Sequence, residues 1–422
     1  MMRRMLLTLA GLALLGCGAV DSGVGGEELR SDKQRVTKPN VAQGDLSRQV
    51  AGNTEFAFDL YQRLRDKPDN IFFSPYSITI AMAMVHGGAH MNTEQQSADT
   101  MHFELPQSSL HPVFNKLDLE LNSRGQGSKA ADGKAFRLNV VNAVWGQRNY
   151  SFLPAYLDTL ALNYGAGLRV VDFESAPDPS RIEINEWVER QTEGRIQDLL
   201  PPDSVSSDTR MVLTNAIYFN AAWAKAFDKD ATRDGPFSLL DGKQVTVPMM
   251  AAEVDASYVK DADFVAAALP YDGRELSMLV IVPDDLKSFE ATLTGEKVRK
   301  IAAQLQPSSV AVKLPSFELE MDLSLKEHLV ALGMKDAFNP IAADLSGMTS
   351  AEQLYISAAV HKAFVKVNEA GTEAAAATAV VVAPSAAPPT PVKFIADRPF
   401  IFVIRDHQTG AVLFVGRVLD PR

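Results

Sequence analysis

Residues 368–391 read NEAGTEAAAATAVVVAPSAAPPTP. Alanine is the strongest helix former, valine and threonine favour strands, and the run that mixes them halts at Pro384, Pro388, Pro389 and Pro391. No single local structure satisfies the whole segment. Immediately upstream, SAAVHKAFVKVNEAG alternates cleanly: His361, Ala363, Val365 and Val367 fall on one face of a strand, Lys362 and Lys366 on the other. A buried-face histidine therefore sits on the strand that leads into the ambiguous run.

Working outward, FAFDLYQRLR (Phe56 to Arg65) has helical apolar spacing. In NIFFSPYSITIAMAMVHGG, Ser74 followed by Pro75 is a helix start: the serine caps a free N–H and the proline occupies the first turn, where its missing donor costs nothing. Ile78 to Val85 is apolar all round, which predicts a buried helix, and Gly87-Gly88 ends it. LNVVNAVWGQ (Leu138 to Gln147) and RMVLTNAIYFNAAW (Arg210 to Trp223) are rich in β-branched and aromatic residues and read as long strands. Between them SRIEINEWVERQTEGRIQDLL is an amphipathic helix closing at Gly194. ELSMLVIVP, VAVKLPSFEL, PFIFVIRD and AVLFVGRVL read as further strands, the last two joined around His407 to Gly410, and Arg124 to Lys134 reads as an exposed loop. Helices gather early and strands late, which points to an α+β fold with antiparallel or mixed sheets.

The 422 residues, 46% hydrophobic and 22% charged, suit a soluble globular protein. A net charge of −11 without a local basic cluster argues against nucleic acid, anionic membrane surfaces and heparin-like polysaccharides as partners. The start, MMRRMLLTLAGLALLGCGAV, reads as an export signal over residues 1–16: two arginines, an apolar stretch too short to span a bilayer, then small residues. Leu14-Leu15-Gly16-Cys17 resembles a bacterial lipobox, so Cys17, the sole cysteine, is expected to carry lipid. Residues 17–46 are then expected to be a flexible tether, followed by one folded domain over 47–422. The expected location is outside the cytoplasm: an outer-membrane or cell-surface lipoprotein, or an extracellular protein, touching membrane only through the lipid anchor.

Catalytic signatures are missing. There is no G-x-S-x-G, H-E-x-x-H or P-loop sequence and no cysteine pair. Gly125-Gln126-Gly127 has no strand before it and no helix after it, His86 and His90 straddle two glycines and make a poor zinc pair, and no metal or cofactor is expected.

Several long motifs, in order, resemble the serpin family from about Glu55 to the C-terminus: NIFFSPYSITIAMAM, INEWVERQTEGRIQDLLPP, TNAIYFNAAW, FDKDATRDGPF, AVHKAFVKVNEAGTEAAAATAVVV and FIADRPFIFVI. The resemblance implies a single large α+β domain with helices packed on three β-sheets and an exposed reactive loop at about 369–391. It implies no enzyme, but a monomeric serine protease inhibitor acting as a suicide substrate: the target cuts the loop, and the loop enters the main sheet as an extra strand before the acyl-enzyme is hydrolysed. The alternative is a non-inhibitory relative serving as a binding or storage module. Such relatives carry bulky, charged or proline residues in the hinge, and the hinge here, Glu369, Gly371, Thr372, Glu373, Ala374, Ala375, Ala376 and Ala377, has only Glu373 of that kind within GTEAAAATA.

Gly371 to Ala383 would span about 43 Å as a strand, and Pro384, lacking an N–H, should end insertion. Family spacing from Glu369 sets the reactive bond at Ser385–Ala386, with the bonds after Val382, Ala383 and Ala386 as alternatives. All these residues are small and uncharged, so the expected target is an elastase-like or subtilisin-like protease with a small or aliphatic primary pocket. By resemblance, Ser74, Ser77, Asn215 and His361 form a polar cluster, the shutter, that governs parting of the main sheet. Trp223 marks the breach, where insertion begins. Ser316 departs from the family, which commonly has a lysine there to pair with the hinge glutamate; Lys313 lies close in sequence.

Overall fold

The computed structural model describes residues 26–130, 133–134, 136–350, 353–372 and 390–422. Cys17, Glu373, Ala374, Ala375, Ala376, Ala377, Ser385 and Ala386 lie outside the described residues.

In chain order the strands begin β1 (Glu27–Leu29), β2 (Ile71–Phe73), β3 (Arg137–Gln147), β4 (Leu168–Val171), β5 (Met211–Ala222), β6 (Arg233–Ser238), β7 (Gln244–Lys260) and β8 (Phe264–Pro270). They continue with β9 (Leu276–Pro283), β10 (Gln306–Pro315), β11 (Phe317–Ser324), β12 (Ala358–Val367), β13 (Gly371–Thr372), β14 (Val392–Ile395), β15 (Phe400–Asp406) and β16 (Val412–Val418). The main sheet runs β1-β4-β3-β5-β13-β12-β11. The remaining strands make a second network, β14-β10-β7-β8-β9-β15-β16-β2 with β6 on β7. The three expected sheets thus form two hydrogen-bonded networks, because β7 is long enough to serve two of them: it pairs with β6 and β10 over most of its length and with β8 through its last residues, Ser257 to Lys260.

Six helices precede β5: α1 (Asp45–Leu64), α2 (Pro75–His86), α3 (Met91–Met101), α4 (Gln107–Asn122), α5 (Pro154–Tyr164) and α6 (Pro177–Gln191). The expected spine is α2. Ser74 Oγ accepts from the Ser77 N–H at 3.1 Å, Pro75 occupies the first turn, and all twelve residues are buried between the main sheet and β16. On the opposite face of the main sheet, Val188 of α6 and Ile196 and Leu199 after it cover Val141 of β3 and Ala216 of β5.

Three expectations need correction. The flexible tether does not extend through residue 46. Glu27–Leu29 is a strand on the edge of the main sheet, Arg35 bonds Asn115 and Asp118 of α4, and α1 is helical from Asp45. The polarity of residues 27–36, read as a sign of solvation, instead supplies partners for helix ends and an open sheet edge. Arg124 is not in an exposed loop either: it is buried and bonds buried Asp406, Nε to Oδ1, at 2.7 Å. VAVKLPSFEL is two strands, since Pro315, with no N–H to donate, closes β10 in one network and the chain resumes as β11 in the other.

Candidate functional site at the seam of the main sheet

Along most of their length β5 and β12 pair directly and in parallel, from Ala358 opposite Val212 to Phe364 opposite Tyr218. In the middle of this seam, one transverse row is polar: Asn142 of β3 faces Asn215 of β5, which faces His361 of β12. The Ser74 backbone N–H donates to His361 Nε2 at 3.1 Å, so the ring proton is on Nδ1 and donates to Asn215 Oδ1. The Asn215 amide nitrogen in turn donates to Ser77 Oγ at 2.6 Å and to Asn142 Oδ1. Ser74 Oγ donates to the Leu413 carbonyl of β16 at 2.6 Å, tying the row to the second network.

The N-cap of α2, two strands of the seam and the second network therefore share one buried chain of bonds. Ser74, Ser77, Asn215 and His361 are all within 1% of full burial, and burial pushes the imidazole down to about 3, so it is neutral. Each bond is worth about 1 kcal/mol net, but a donor or acceptor stranded in this environment costs about 1–3 kcal/mol. Separating β5 from β12 breaks the His361–Asn215 bond and exposes that cost.

At the Ala222 end of β5 the seam is occupied. Gly371 lies opposite Ala222 and Thr372 opposite Ala221, both antiparallel to β5, and Thr372 also pairs with Val367 of β12. Thr372 is fully buried, and its hydroxyl is 2.8 Å from the buried Tyr271 hydroxyl. Trp223 stacks on Tyr271 at 4.8 Å and 4° between planes, and its Nε1 donates to the Asn368 carbonyl at 2.9 Å. The Trp223 and Phe227 N–H groups bond the carbonyls of Ala370 and Glu369 at 3.0 and 2.8 Å. Glu369 Oε1 accepts from Thr232 Oγ1 at 2.7 Å, and Ser316, where the family lysine would stand, donates its backbone N–H to Pro248.

Ser74, Ser77, Asn215 and His361 thus come together as one cluster, and Trp223, Glu369, Gly371 and Thr372 as a second. Asn142, Tyr271 and Thr232 escaped the sequence reading. Asn142 had a detectable signal: an amide in the middle of an apolar strand needs partners when buried. Tyr271 and Thr232 reach the hinge only through the fold. Among the described residues no group of His, Cys, Asp and Glu could hold a metal ion, and no helix is long and apolar enough to cross a membrane. His86 bonds Ser97 Oγ at 2.6 Å and is buried, with its pKa pushed down to about 4.

The family described as Serpin (serine protease inhibitor) matches residues 51–421. The leukocyte elastase inhibitor of Homo sapiens is 41% identical over 384 residues, covering 88% of this chain and 99% of the relative, and that of Xenopus laevis is 39% identical over 379 residues, covering 87% and 98%. Among solved structures, uncleaved ovalbumin superposes with a TM-score of 0.78 at 32% identity, covering 88% of this chain and all of its own, and native tengpin, a thermophilic serpin, with 0.82 at 26%, covering 94% and all of its own. With a family model that spans nearly the whole folded part and relatives of about 40% identity over almost their full length, the chain belongs to the serpin family, described as serine protease inhibitors.

Proposed function

We propose that this chain is an irreversible inhibitor that acts as a suicide substrate for serine proteases with a small or aliphatic primary pocket. The observation that carries the reading is the seated hinge. Gly371 faces Ala222 and Thr372 faces Ala221, so partner numbers sum to 593. Continued without a bulge, this register sets Val382 opposite Met211, the far end of β5. The loop from Gly371 to Val382 therefore has twelve residues for a twelve-residue strand. Ala383 and Pro384 follow as the connection to Ser385, whose carbonyl would hold the acyl-enzyme.

Every second residue from Thr372 to Val382 would share the inward face with it: Ala374, Ala376 and Thr378 are small, and none, Val380 and Val382 included, is larger than valine, which suits a slot opened between two existing strands. Full insertion would carry the protease about 36 Å along the sheet at ~3.3 Å per residue, for eleven steps from Thr372 to Ala383. Displacements far smaller than this ruin the alignment of a triad and its oxyanion hole. A target of the elastase type is supported by the names of the relatives and by the absence of Lys and Arg between Glu373 and Thr390. A trypsin-like pocket would leave its buried acid unpaired there. The bond after Ala383 is disfavoured beside the others, because Pro384 would have to serve as the leaving amine. For location, we propose export and lipid attachment through Cys17.

The test is to incubate the folded domain with elastase, subtilisin and trypsin and look for a covalent adduct on a denaturing gel. The expected result is an adduct with one of the first two. Clipping of the loop with both enzymes left active would favour the storage or binding reading and overturn this one.

A further inference from the structure

The N-terminal segment is moored at the pole of the main sheet that lies opposite the seated hinge. Glu27 faces Val170, Val170 faces Gly146, and Gly146 faces Met211, so one transverse row joins the start of β1 to the start of β5. The hinge meets β5 at the other end, Ala221 and Ala222. The mooring is built rather than incidental. Gly26 turns at φ 71°, where a Cβ would lie 3.1 Å from the Val170 carbonyl and 3.2 Å from the Trp145 ring, and its N–H donates to Glu183 Oε1 at 2.6 Å. The Gly167 N–H donates to Glu28, while Ser31 and Lys33 both bond Asp158, at 2.6 and 2.7 Å. The Val36 N–H bonds the Leu162 carbonyl at 2.9 Å, and Arg35 reaches Asp118 at 2.6 Å. Residues 26–36 thus cross β4, α5 and α4.

This inference rests on the inhibitory reading and asks what that reading requires of an attached molecule. Cys17 to Gly26 is nine peptide steps, at most about 32 Å when fully extended. A domain attached at Cys17 therefore presents its hinge pole outward and keeps the Met211 pole close to the surface. The register above delivers the acylated Ser385 to that same near pole. Four strand spacings separate the inserted strand from β1, about 19 Å. A protease of about 240 residues has a radius of gyration of about 18 Å and is about 45 Å across, so it does not fit in a 32 Å gap.

We propose that residues 26–36 are a releasable mooring on a lipid surface: docked, they hold the bait away from the bilayer, and on capture they peel from β4, α5 and α4 to lengthen the link. Peeling to Thr37 makes twenty steps, about 70 Å, which clears the protease. The contacts suit release. The strand is three residues long, and the ion pair Lys33–Asp158 is partly exposed and individually weak. A net charge of −11 gives the body no general attraction to an anionic bilayer, so the attachment depends on this segment.

Because Cys17 is the sole cysteine, the chain beginning there can be coupled to a maleimide phospholipid in vesicles of neutral phosphatidylcholine and compared with the uncoupled protein. A double variant, Glu28→Cys with Arg169→Cys, sets two thiols directly opposite in register; oxidised before coupling, it fastens the mooring, and later reduction frees it in the same sample. The readouts are adduct stoichiometry, with whichever of elastase and subtilisin the free protein traps, and hydrogen exchange over residues 26–36. The expected result on vesicles is loss of amide protection across that segment on capture, together with a severalfold lower adduct yield for the oxidised variant that reduction restores. The free protein should show no such difference between oxidised and reduced forms. Protection that persists through capture on vesicles, or an oxidised variant that traps as well as the reduced one, would overturn the mooring. A free protein that traps neither enzyme removes the inhibitory reading itself, and this proposal falls with it.

Discussion

Two points on the β5–β12 seam, its hinge end and its middle, are closed by different physics. At the hinge, contact is mostly backbone and apolar: two residue pairs, three N–H to carbonyl bonds and a stacked Trp223–Tyr271 pair. At the polar row it is side-chain hydrogen bonding between amide, imidazole and hydroxyl in a fully buried site. A backbone ladder accepts almost any small side chain, so the hinge can lengthen by two residues at a time with the same chemistry. The polar row has one arrangement, and parting it strands several groups at once. On the proposed inhibitory mechanism the two regions would have separate tasks, a ratchet at one end and a latch in the middle.

The largest effect should come from blocking the ratchet. Thr372→Arg forces a charge into a fully buried slot against Tyr271. Loop insertion should fail and the protein should become a substrate, with adduct yield falling from most of the input to almost none. Quantifying adduct against cleaved product by gel densitometry checks this; unchanged yield would separate the hinge from the mechanism.

Acid should loosen the latch next. Burial holds the folded imidazole of His361 at about 3, below the ordinary ~6.5, so the unfolded chain takes up the proton first. Its contribution is complete above pH ~6.5 and is lost as pH falls towards 3, amounting to about 2 kcal/mol between pH 7 and 5. His86 and His111, held at about 4 and about 3 by burial, act in the same direction. Urea unfolding at the two pH values measures the slope, and His361→Gln should remove one histidine's share.

Asn215→Ala should cost about 1–3 kcal/mol by stranding the His361 Nδ1 proton, while Ser77 Oγ keeps its bond to Asn142 Oδ1, and should speed spontaneous loop insertion at fixed pH. Chromatographic separation of intact active protein from inserted protein over time follows it. Trp223→Phe is the gentlest. It keeps an aromatic against Tyr271 and loses the bond to the Asn368 carbonyl, about 1 kcal/mol, and should raise the rate at which the hinge unseats without touching the polar row.

Much of both regions was legible in the sequence because periodicity and caps are local. The alternation around His361, the Ser74-Pro75 start and the apolar spine all rest on neighbours a few residues apart. What escaped is long-range. Tyr271 is 101 residues from Thr372, and Thr232 is 137 from Glu369, and no spacing rule joins them. The segment before α1 misled for a related reason. Polar composition predicts solvation only when the fold offers no unpaired edge, and β4 offers one. Arg124 is the same case, a charge in a glycine-rich run whose partner, Asp406, is 282 residues away.

The seam between β5 and β12 runs parallel, while the hinge residues lie antiparallel to both. A third strand between two that point the same way is antiparallel to both if it points the opposite way, and the chain leaving β12 has already turned to do so. Parallel ladders are the slightly weaker kind. Filling the gap would exchange one such ladder for two of the stronger kind, leaving the strands from β3 to β11 alternating in direction throughout. The native sheet is thus a palindrome with its middle letter withheld.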